Sequence, residues 1–591
     1  MAFSAKIAAL RTVLGEWSLD GVIVPRADEH LGEYVPPSAE RLSWLTGFTG
    51  SAGLAAVTRW RAAVFSDGRY TLQLQTETDG GIWERRHLTE EPAARWLVEA
   101  GAKRVGYDPW LISEEALRPY AQAGLEMVAL EANPVDAIWS DRPAPPAGVA
   151  VLHPLEFAGT SSVEKRQELA ATLRAAGQKA AVMSDPASVA WLFNIRGQDV
   201  GFTPFLLGFA LLYDDANATL FTTPSKIPAS IQAWLGADVT VADRASLAPA
   251  LAALAGQKVR VDTQGSPAWF AQTLRAAGAE VESGLDPCLL PKACKNATEQ
   301  AGSRDAHLRD AIAMTRFLCW LDTSLAAGEA LSELSVAAKL LALRQQMADF
   351  QGESFPAITA AGAHGAIVHY RASAESDRRL QPNEVYLIDS GGQYLCGTTD
   401  ITRTIWTGPD AAPAELRERF TRVLRGHIAI ARLVFPPGVT GAHIDGFARA
   451  ALWQVGLDYD HGTGHGVGSY LSVHEGPVSL SRAARPIALQ PGMILSNEPG
   501  YYEPNGYGIR LENLVLVQKA ALPAATRRFL SFETLSLAPF EPRLIDWDGL
   551  NAEETAWLDA YHLRVFDTLA PHLDAATCEW LRLTTQKASP R

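Results

Sequence analysis

Four acidic residues in the C-terminal half of the chain stand where a buried β-strand should carry none. In EVYLIDSGGQYLCGTTDITRTI, Asp389 closes the apolar run Val385 to Ile388, and Asp400 interrupts the next extended stretch between Thr399 and Ile401. In GMILSNEPGYY, Glu498 ends another apolar run, with Pro499 holding it in extended backbone. In YGIRLENLVLV, Glu512 comes directly before the unbroken apolar run Leu514 to Val517. Unpaired charges are not tolerated in a protein interior, and carboxylates sharing one site protonate or repel unless a cation holds them together. Arg403 and Arg510 are candidates for that cation. For any one acid, a structural ion pair or a solvated strand end is the commoner fate. The same placement four times over favours a common cation site.

The segment around these acids is doubled. Helical patterns at about 298–326 and 335–349 precede extended stretches at 384–389 and 398–406; patterns at about 413–433 and 441–455 precede 493–498 and 507–517. Pro413 suits a first helical turn, and Phe435-Pro-Pro-Gly438 stops that helix. Two helix–helix–hairpin halves predict two sheets packed over a shared groove. The spacing carries one warning: a two-residue turn at Gly391-Gly392 would pair Asp389 with Tyr394, so bringing Asp389 to Asp400 requires a bulge or a wider turn, at Gly397-Thr-Thr.

Seven of the thirteen histidines lie between 364 and 474, three of them in HGTGHGVGSYLSVHEGP. Glycines at 462, 464, 466 and 468 oppose a helix there, so His461 and His465 are predicted on one strand, where a spacing of four puts both on one face. His474 precedes a turn, and His369 in GAIVHYR follows a short apolar run. His364, His427 and His443 are left without a role, since a lone histidine is more often structural. Four carboxylates and one imidazole form a hard, oxygen-rich set suited to Mn²⁺ or a similar divalent ion, and too large for one zinc. Two ions about 3.5–4 Å apart would use all five donors and could hold a water of lowered pKa, a centre suited to hydrolysis.

The wider composition narrows the alternatives. A formal net charge of −14 repels phosphate backbones and anionic lipid, so neither nucleic acid nor membrane is expected as a partner. Lys6, Arg11 and Glu16 interrupt the N-terminal stretch before a secretory apolar run appears, and no segment approaches the roughly 18 apolar residues of a membrane span. Five scattered cysteines without a CxxC suit a reducing compartment, so a cytoplasmic location is expected.

A chain of 591 residues exceeds one core. The proline cluster at 141–148 and the break around 291–296 predict domains at 1–150, 151–292 and 293–591, the last with a C-terminal extension from about 521 to 591. RLSWLTGFTGSAGLAAVTRWRAAVFSDGRY (41–70) and SVAWLFNIRGQDVGFTPFLLGFALLYDDANATLF (188–221) form a weak internal repeat, each a Trp-Leu helix end, a glycine-bearing turn and two apolar strands.

With those residues in hand, the chain resembles the aminopeptidase P family, the Xaa-Pro aminopeptidases, in the long three-domain form typified by the cytosolic enzymes. The likeness runs over nearly the whole length and is carried by IVHYRA, YLIDSGGQYLCGTTDITRT, LDYDHGTGHGVGSYLSVHEGP, SNEPGYYEPNGYGIRLENLVLV and FLSFETLSLAPFEPRLID. It implies an α/β (α+β) architecture of two creatinase-like N-terminal α/β domains followed by a pita-bread catalytic domain. It also implies hydrolysis of the bond before a proline in second position by a hydroxide bridging two metal ions, usually Mn²⁺, with Zn²⁺ or Co²⁺ as alternatives. The family's ligands fall on Asp389, Asp400, His465, Glu498 and Glu512, none substituted. Carried over in the same way, His369, His461, His474 and Glu498 take catalytic roles, with Glu498 as proton shuttle, and Arg69, His369, His465 and His474 meet the substrate. Peptides with proline second are the implied partners, and a homodimer through the catalytic domain is the implied assembly. Metal-free pita-bread proteins that act on creatine or only bind other proteins have substituted ligands, and enzymes that remove initiator methionine generally lack two large preceding domains.

Overall fold

In the computed structural model, which describes residues 2–523 and 526–586, the stretches 41–70 and 188–221 each supply a helix and a strand pair to a six-stranded sheet. Helix Arg41–Thr46 leads to strands Leu54–Thr58 and Ala62–Ser66; helix Pro186–Phe193 leads to Phe209–Tyr213 and Ala218–Phe221. Both helices end on a left-handed residue, Gly47 at φ 86° and Asn194 at φ 51°.

The first sheet runs, in spatial order, Glu84–His87, Ala62–Ser66, Leu54–Thr58, Gly21–Pro25, Arg104–Tyr107, Glu126–Ala129. The second runs Val239–Ala242, Ala218–Phe221, Phe209–Tyr213, Ala180–Met183, Lys258–Val261, Glu280–Ser283. Across either sheet the pairings are parallel, antiparallel twice, then parallel twice, so the sequence repeat is a repeat of topology. Strand alternation sorts the first sheet's apolar residues onto two faces: Val22, Val57 and Val64 pack with Phe48 and Trp83, whereas Ile23, Ala56 and Phe65 pack with Trp96 and Leu97. Both sheets lie in one compact unit, Met1–Leu289.

The second unit, Leu290–Arg591, contains the doubled segment. Helix Ala297–Ala326 opens at a capping box in which Asn296 and Glu299 satisfy each other's backbone N–H groups. Helix Glu333–Arg344 follows it, and the pair Ala414–Ala431 and Gly441–Trp453 repeats the arrangement. The helical pattern expected to reach 349 ends at Arg344, whose buried guanidinium is drawn into a two-pronged bond with Asp310 at 2.8 and 3.1 Å. Each helix pair leads to an antiparallel sheet. One has the order Ile358–Ala361, Val385–Ser390, Ile401–Trp406. The other has the order Val434–Phe435, Leu530–Thr534, Asn513–Lys519, Ile494–Asn497, Gly464–Gly466, Glu475–Leu480.

Candidate metal centre

Both acid pairs sit where a long hairpin passes from one sheet into another. In the first hairpin Asp389 faces Thr402 and Ser390 faces Ile401; past a break at Gly391 and Asp400, Gln393 faces Thr398 and Tyr394 faces Gly397. One register spans the break: the hairpin runs past Gly391-Gly392, as bringing Asp389 near Asp400 requires, and turns at Leu395-Cys396, just before the Gly397-Thr-Thr that was expected to form the turn. The cause lies at Gly391, where an added Cβ would stand 1.9 Å from the Thr399 carbonyl oxygen: the strands approach too closely there for any side chain, and the hairpin continues past them. Alternation then places Asp389, Asp400 and Thr402 on one face. The second hairpin repeats the device. Asn497 faces Asn513 and Gly500 faces Arg510, so Glu498 and Glu512 fall opposite each other at the break.

The two hairpins are laced together at the acids. Thr402 Oγ donates to Glu512 Oε2 at 2.8 Å, the Glu512 N–H donates to the Thr402 carbonyl at 3.2 Å, and Arg403 donates to the Glu512 carbonyl at 2.7 Å. His465 joins them from strand Gly464–Gly466. Its N–H donates to Ser496 Oγ at 2.9 Å, and that hydroxyl donates to Glu498 Oε1 at 3.1 Å. The ring's Nδ1 lies 3.0 Å from the Gly466 carbonyl, which can only accept, so Nε2 carries the lone pair. That nitrogen is 3.5 Å from both Asp400 Oδ2 and Glu498 Oε1. Asp400, His465 and Glu512 offer donor atoms that all lie within 4.8 Å of one another.

Charge in this cluster is not balanced by the protein. Arg510 donates to Asp389 Oδ2 at 2.7 Å. Burial by itself would lower the Arg510 pKa, but Tyr502, Asp389 and Glu498 outweigh it and raise it. Arg403, the other candidate cation, does not reach the carboxylates. Its guanidinium is spent on the carbonyls of Thr402, Glu512, Ala538 and Pro539, on Asn513 and on Tyr561, a structural role fixed by burial beneath the sheet. Asp389 Oδ1, Asp400 Oδ1 and Glu512 Oε1 are buried with no hydrogen-bond donor among the described residues. Burial first, then neighbouring carboxylates, push the Asp400 and Glu512 pKa values well above the usual range. Buried, hard, donor-starved oxygens beside a presented imidazole nitrogen fit divalent ions.

The remaining histidines divide. His461 does not share a strand face with His465, as the glycine pattern suggested: the strand begins only at Gly464, and just before it the Thr463 hydroxyl donates to buried Asp445 at 2.6 Å. His461 Nδ1 instead lies 2.7 Å from the Gly462 carbonyl, and its Nε2 lies 2.9 Å from Tyr502 Oη, which accepts from Arg510 at 2.8 Å. A continuous chain Asp389–Arg510–Tyr502–His461 results. His474 stands edge-on to His465, ring centroids 4.3 Å apart at 75°. His369 occupies a half-buried turn just before Tyr370. Arg69 belongs to the first unit, where Asp67 holds its guanidinium at 3.0 and 2.8 Å.

Several residues of the site escape a reading of the sequence. Thr402, Ser496 and Tyr502 are ordinary strand residues whose hydroxyls acquire their roles only through the register. Glu475 is another: wholly buried, it accepts from Lys292 at 2.9 Å and Lys295 at 2.5 Å, partners more than a hundred residues distant in the chain. Its position beside His474 is the one available signal.

Donor-starved carboxylates at the junction of two like halves define a metal-dependent hydrolase, and residues 301–519 match the metallopeptidase family M24. Residues 6–136 and 141–299 each match a creatinase/prolidase N-terminal domain, and 528–588 match the C-terminal region of peptidase M24. The chain belongs to the aminopeptidase P family of these metallopeptidases. It is 36% identical to aminopeptidase P1 of Arabidopsis thaliana, with 99% of both chains covered. It is 37% identical to a Fusarium vanettenii protein named probable Xaa-Pro aminopeptidase P, with 98% of both covered. Its fold matches X-prolyl aminopeptidase of Caenorhabditis elegans, described as a cytosolic enzyme with a di-nuclear active site, at a TM-score of 0.94 and 31% identity, with all of both chains covered.

Proposed function

We propose that this chain is an Xaa-Pro aminopeptidase, which hydrolyses the bond between the first residue of a peptide and a proline in second position. The observation that carries the reading is the meeting of Asp400, His465 and Glu512, with Glu498 and Asp389 beside them, where three buried carboxylate oxygens have no donor among the described residues, in a chain whose full-length relatives bear that name. Asp389, Asp400, His465, Glu498 and Glu512 would hold two divalent ions, Mn²⁺ foremost, with Zn²⁺ or Co²⁺ as alternatives. Bound ions supply Lewis acidity and lower the pKa of water.

The chain's own residues do the rest. The Glu498 side chain is 18% exposed against 5% for Asp400 and 11% for Asp389, so it is the acid best placed to pass a proton between the centre and the substrate. Its Oε1 is oriented by Ser496. His369 and His474 orient the peptide and stabilise negative charge on the scissile carbonyl oxygen. His461, braced by Tyr502, faces the leaving proline side, and Arg69, held by Asp67 in the first unit, keeps the substrate role that the family resemblance gives it. Prolyl nitrogen has no hydrogen, so the site need supply no acceptor there. The enzyme is proposed to be cytoplasmic and to act as a homodimer; its five free cysteines and the cytosolic C. elegans relative support the location.

The test is turnover of Arg-Pro-Pro, Met-Ala-Ser and creatine, with and without Mn²⁺ and a chelator. The reading requires metal-dependent cleavage of Arg-Pro-Pro and is overturned by preference for Met-Ala-Ser or by no turnover of any. Asp400→Asn and Glu498→Gln are expected to abolish turnover and lower metal content, whereas His461→Ala keeps the metal.

A further inference from the structure

Helix Glu333–Arg344 begins with a carboxylate that the proposed chemistry does not use. Glu333 is wholly buried. Its Oε1 accepts from the Ala361 N–H at 2.8 Å and from His364 Nδ1 at 2.8 Å; its Oε2 accepts from Tyr370 Oη at 2.9 Å and from the Arg378 N–H at 3.2 Å. These four donors come from one connection, residues 361–378, which joins strand Ile358–Ala361 to Val385–Ser390, the strand that carries Asp389. The rings of His364 and Tyr370 stack on each other, centroids 4.3 Å apart at 29°. His369 lies within this clasped loop, one residue before Tyr370.

The same loop is seated on the hairpin that holds Tyr502 and Arg510. A Cβ at Gly365 would lie 2.9 Å from Gly508 N, and a Cβ at Gly508 would lie 1.7 Å from the Gly365 carbonyl oxygen, so backbone meets backbone there. The loop is therefore fixed on one side by that contact and on the other by a single carboxylate reading its start, two of its rings and its end. A buried carboxylate met by four donors from one loop ties their arrangement together. The one residue of the loop with a proposed part in the reaction is His369.

We propose that Glu333 is a positioning residue for His369: by clasping His364 and Tyr370 it sets where the imidazole meets the peptide. The inference rests on the role given to His369 above. Misplacement by about 1 Å costs on the order of 10²-fold in rate, so Glu333→Gln is expected to lower kcat/KM for Arg-Pro-Pro by about that factor with metal content unchanged.

The deciding experiment is a double-mutant cycle with His369→Ala. If Glu333 acts through His369, Glu333→Gln in the His369→Ala background changes kcat/KM by no more than about twofold. A further full loss in that background, or a parallel loss of metal, overturns the proposal. Tyr370→Phe, which keeps the ring, runs the same cycle with an expected loss of about tenfold should Glu333→Gln fold poorly.

A readout independent of turnover separates this inference from the functional reading. Hydrogen exchange of the Mn²⁺-loaded protein should show Glu333→Gln exposing amides of 362–378 while those of helix Ala414–Ala431 keep their protection. Unchanged exchange in the loop overturns the clasp whatever the substrate is. A wild-type enzyme inert toward Xaa-Pro peptides, with the exchange effect present, overturns the functional reading and the assigned role of His369, and leaves the clasp standing.

Discussion

Glu475 shows how one residue can serve the centre without donating to it. It follows His474, whose ring stands against His465, and it is locked between Lys292 and Lys295, all three side chains at most 2% exposed. Burial alone would raise its pKa, but the two ammonium groups outweigh burial and hold it below the usual carboxylate range. A folded pKa below the unfolded one gives stability that is present above the unfolded value of about 4.3 and lost as pH falls through the folded value. Glu475→Gln removes the anion that Lys292 and Lys295 share and is expected to cost about 3–5 kcal/mol in urea unfolding at neutral pH, the gap to the parent closing below about pH 4. A cost under about 1 kcal/mol would mean that the lysines find other partners. Asp389, Asp400, Glu498 and Glu512 are legible in the sequence because each breaks an apolar run. Glu475 is not, because its meaning lies in two lysines that only the fold brings near. His461 falls between: its place in the centre is legible, its geometry is not, since that depends on a tyrosine from another hairpin.

At the scale of elements, the helices and the doubled hairpins can be read from periodicity and caps, while the turn of the first hairpin cannot. Periodicity reports which face a residue takes. It does not report that two backbones pass so closely at Gly391 that the hairpin must run on to Leu395-Cys396. The glycines around His465 have the same origin. A Cβ at Gly464 would stand 2.0 Å from the Ser496 carbonyl oxygen, so the strand bearing His465 can lie against Ile494–Asn497 only because residue 464 has no side chain. Gly464→Ala must push these strands apart. The expected outcome is a loss of about 1–3 kcal/mol in stability, together with weaker Mn²⁺ binding in calorimetric titration, since the imidazole moves away from Asp400 and Glu498. Unchanged affinity with lowered stability would show that His465 does not depend on the strand for its place.

For the molecule as a whole, the proposed dimer and the metal-linked stability are the properties that no single element sets. Phe447, Trp453 and Val455 are 50%, 48% and 42% exposed, and the Trp453 ring lies over Gly446 beside Phe447 on helix Gly441–Trp453. Trp453→Glu is expected to shift the protein to monomer in sedimentation, and an unchanged mass would place any dimer contact elsewhere. Stability has a second determinant in the acids. Without ions, Asp400 and Glu512 have folded pKa values raised above their unfolded values, so the native state binds more protons than the unfolded chain between the two. The sign of the linkage is then negative: the ion-free protein loses stability as pH rises through that window. Divalent ions take the place of those protons, so their binding must release protons and tighten as pH rises. Titration of Mn²⁺ into chelator-stripped protein, in buffers of different ionisation enthalpy at about pH 6.5, is expected to report proton release. Thermal unfolding of the stripped protein should weaken as pH rises above the unfolded carboxylate value of about 4 and recover on adding Mn²⁺. Mn²⁺ binding with no proton release, and unfolding indifferent to pH in that range, would mean that the two carboxylates do not share one site.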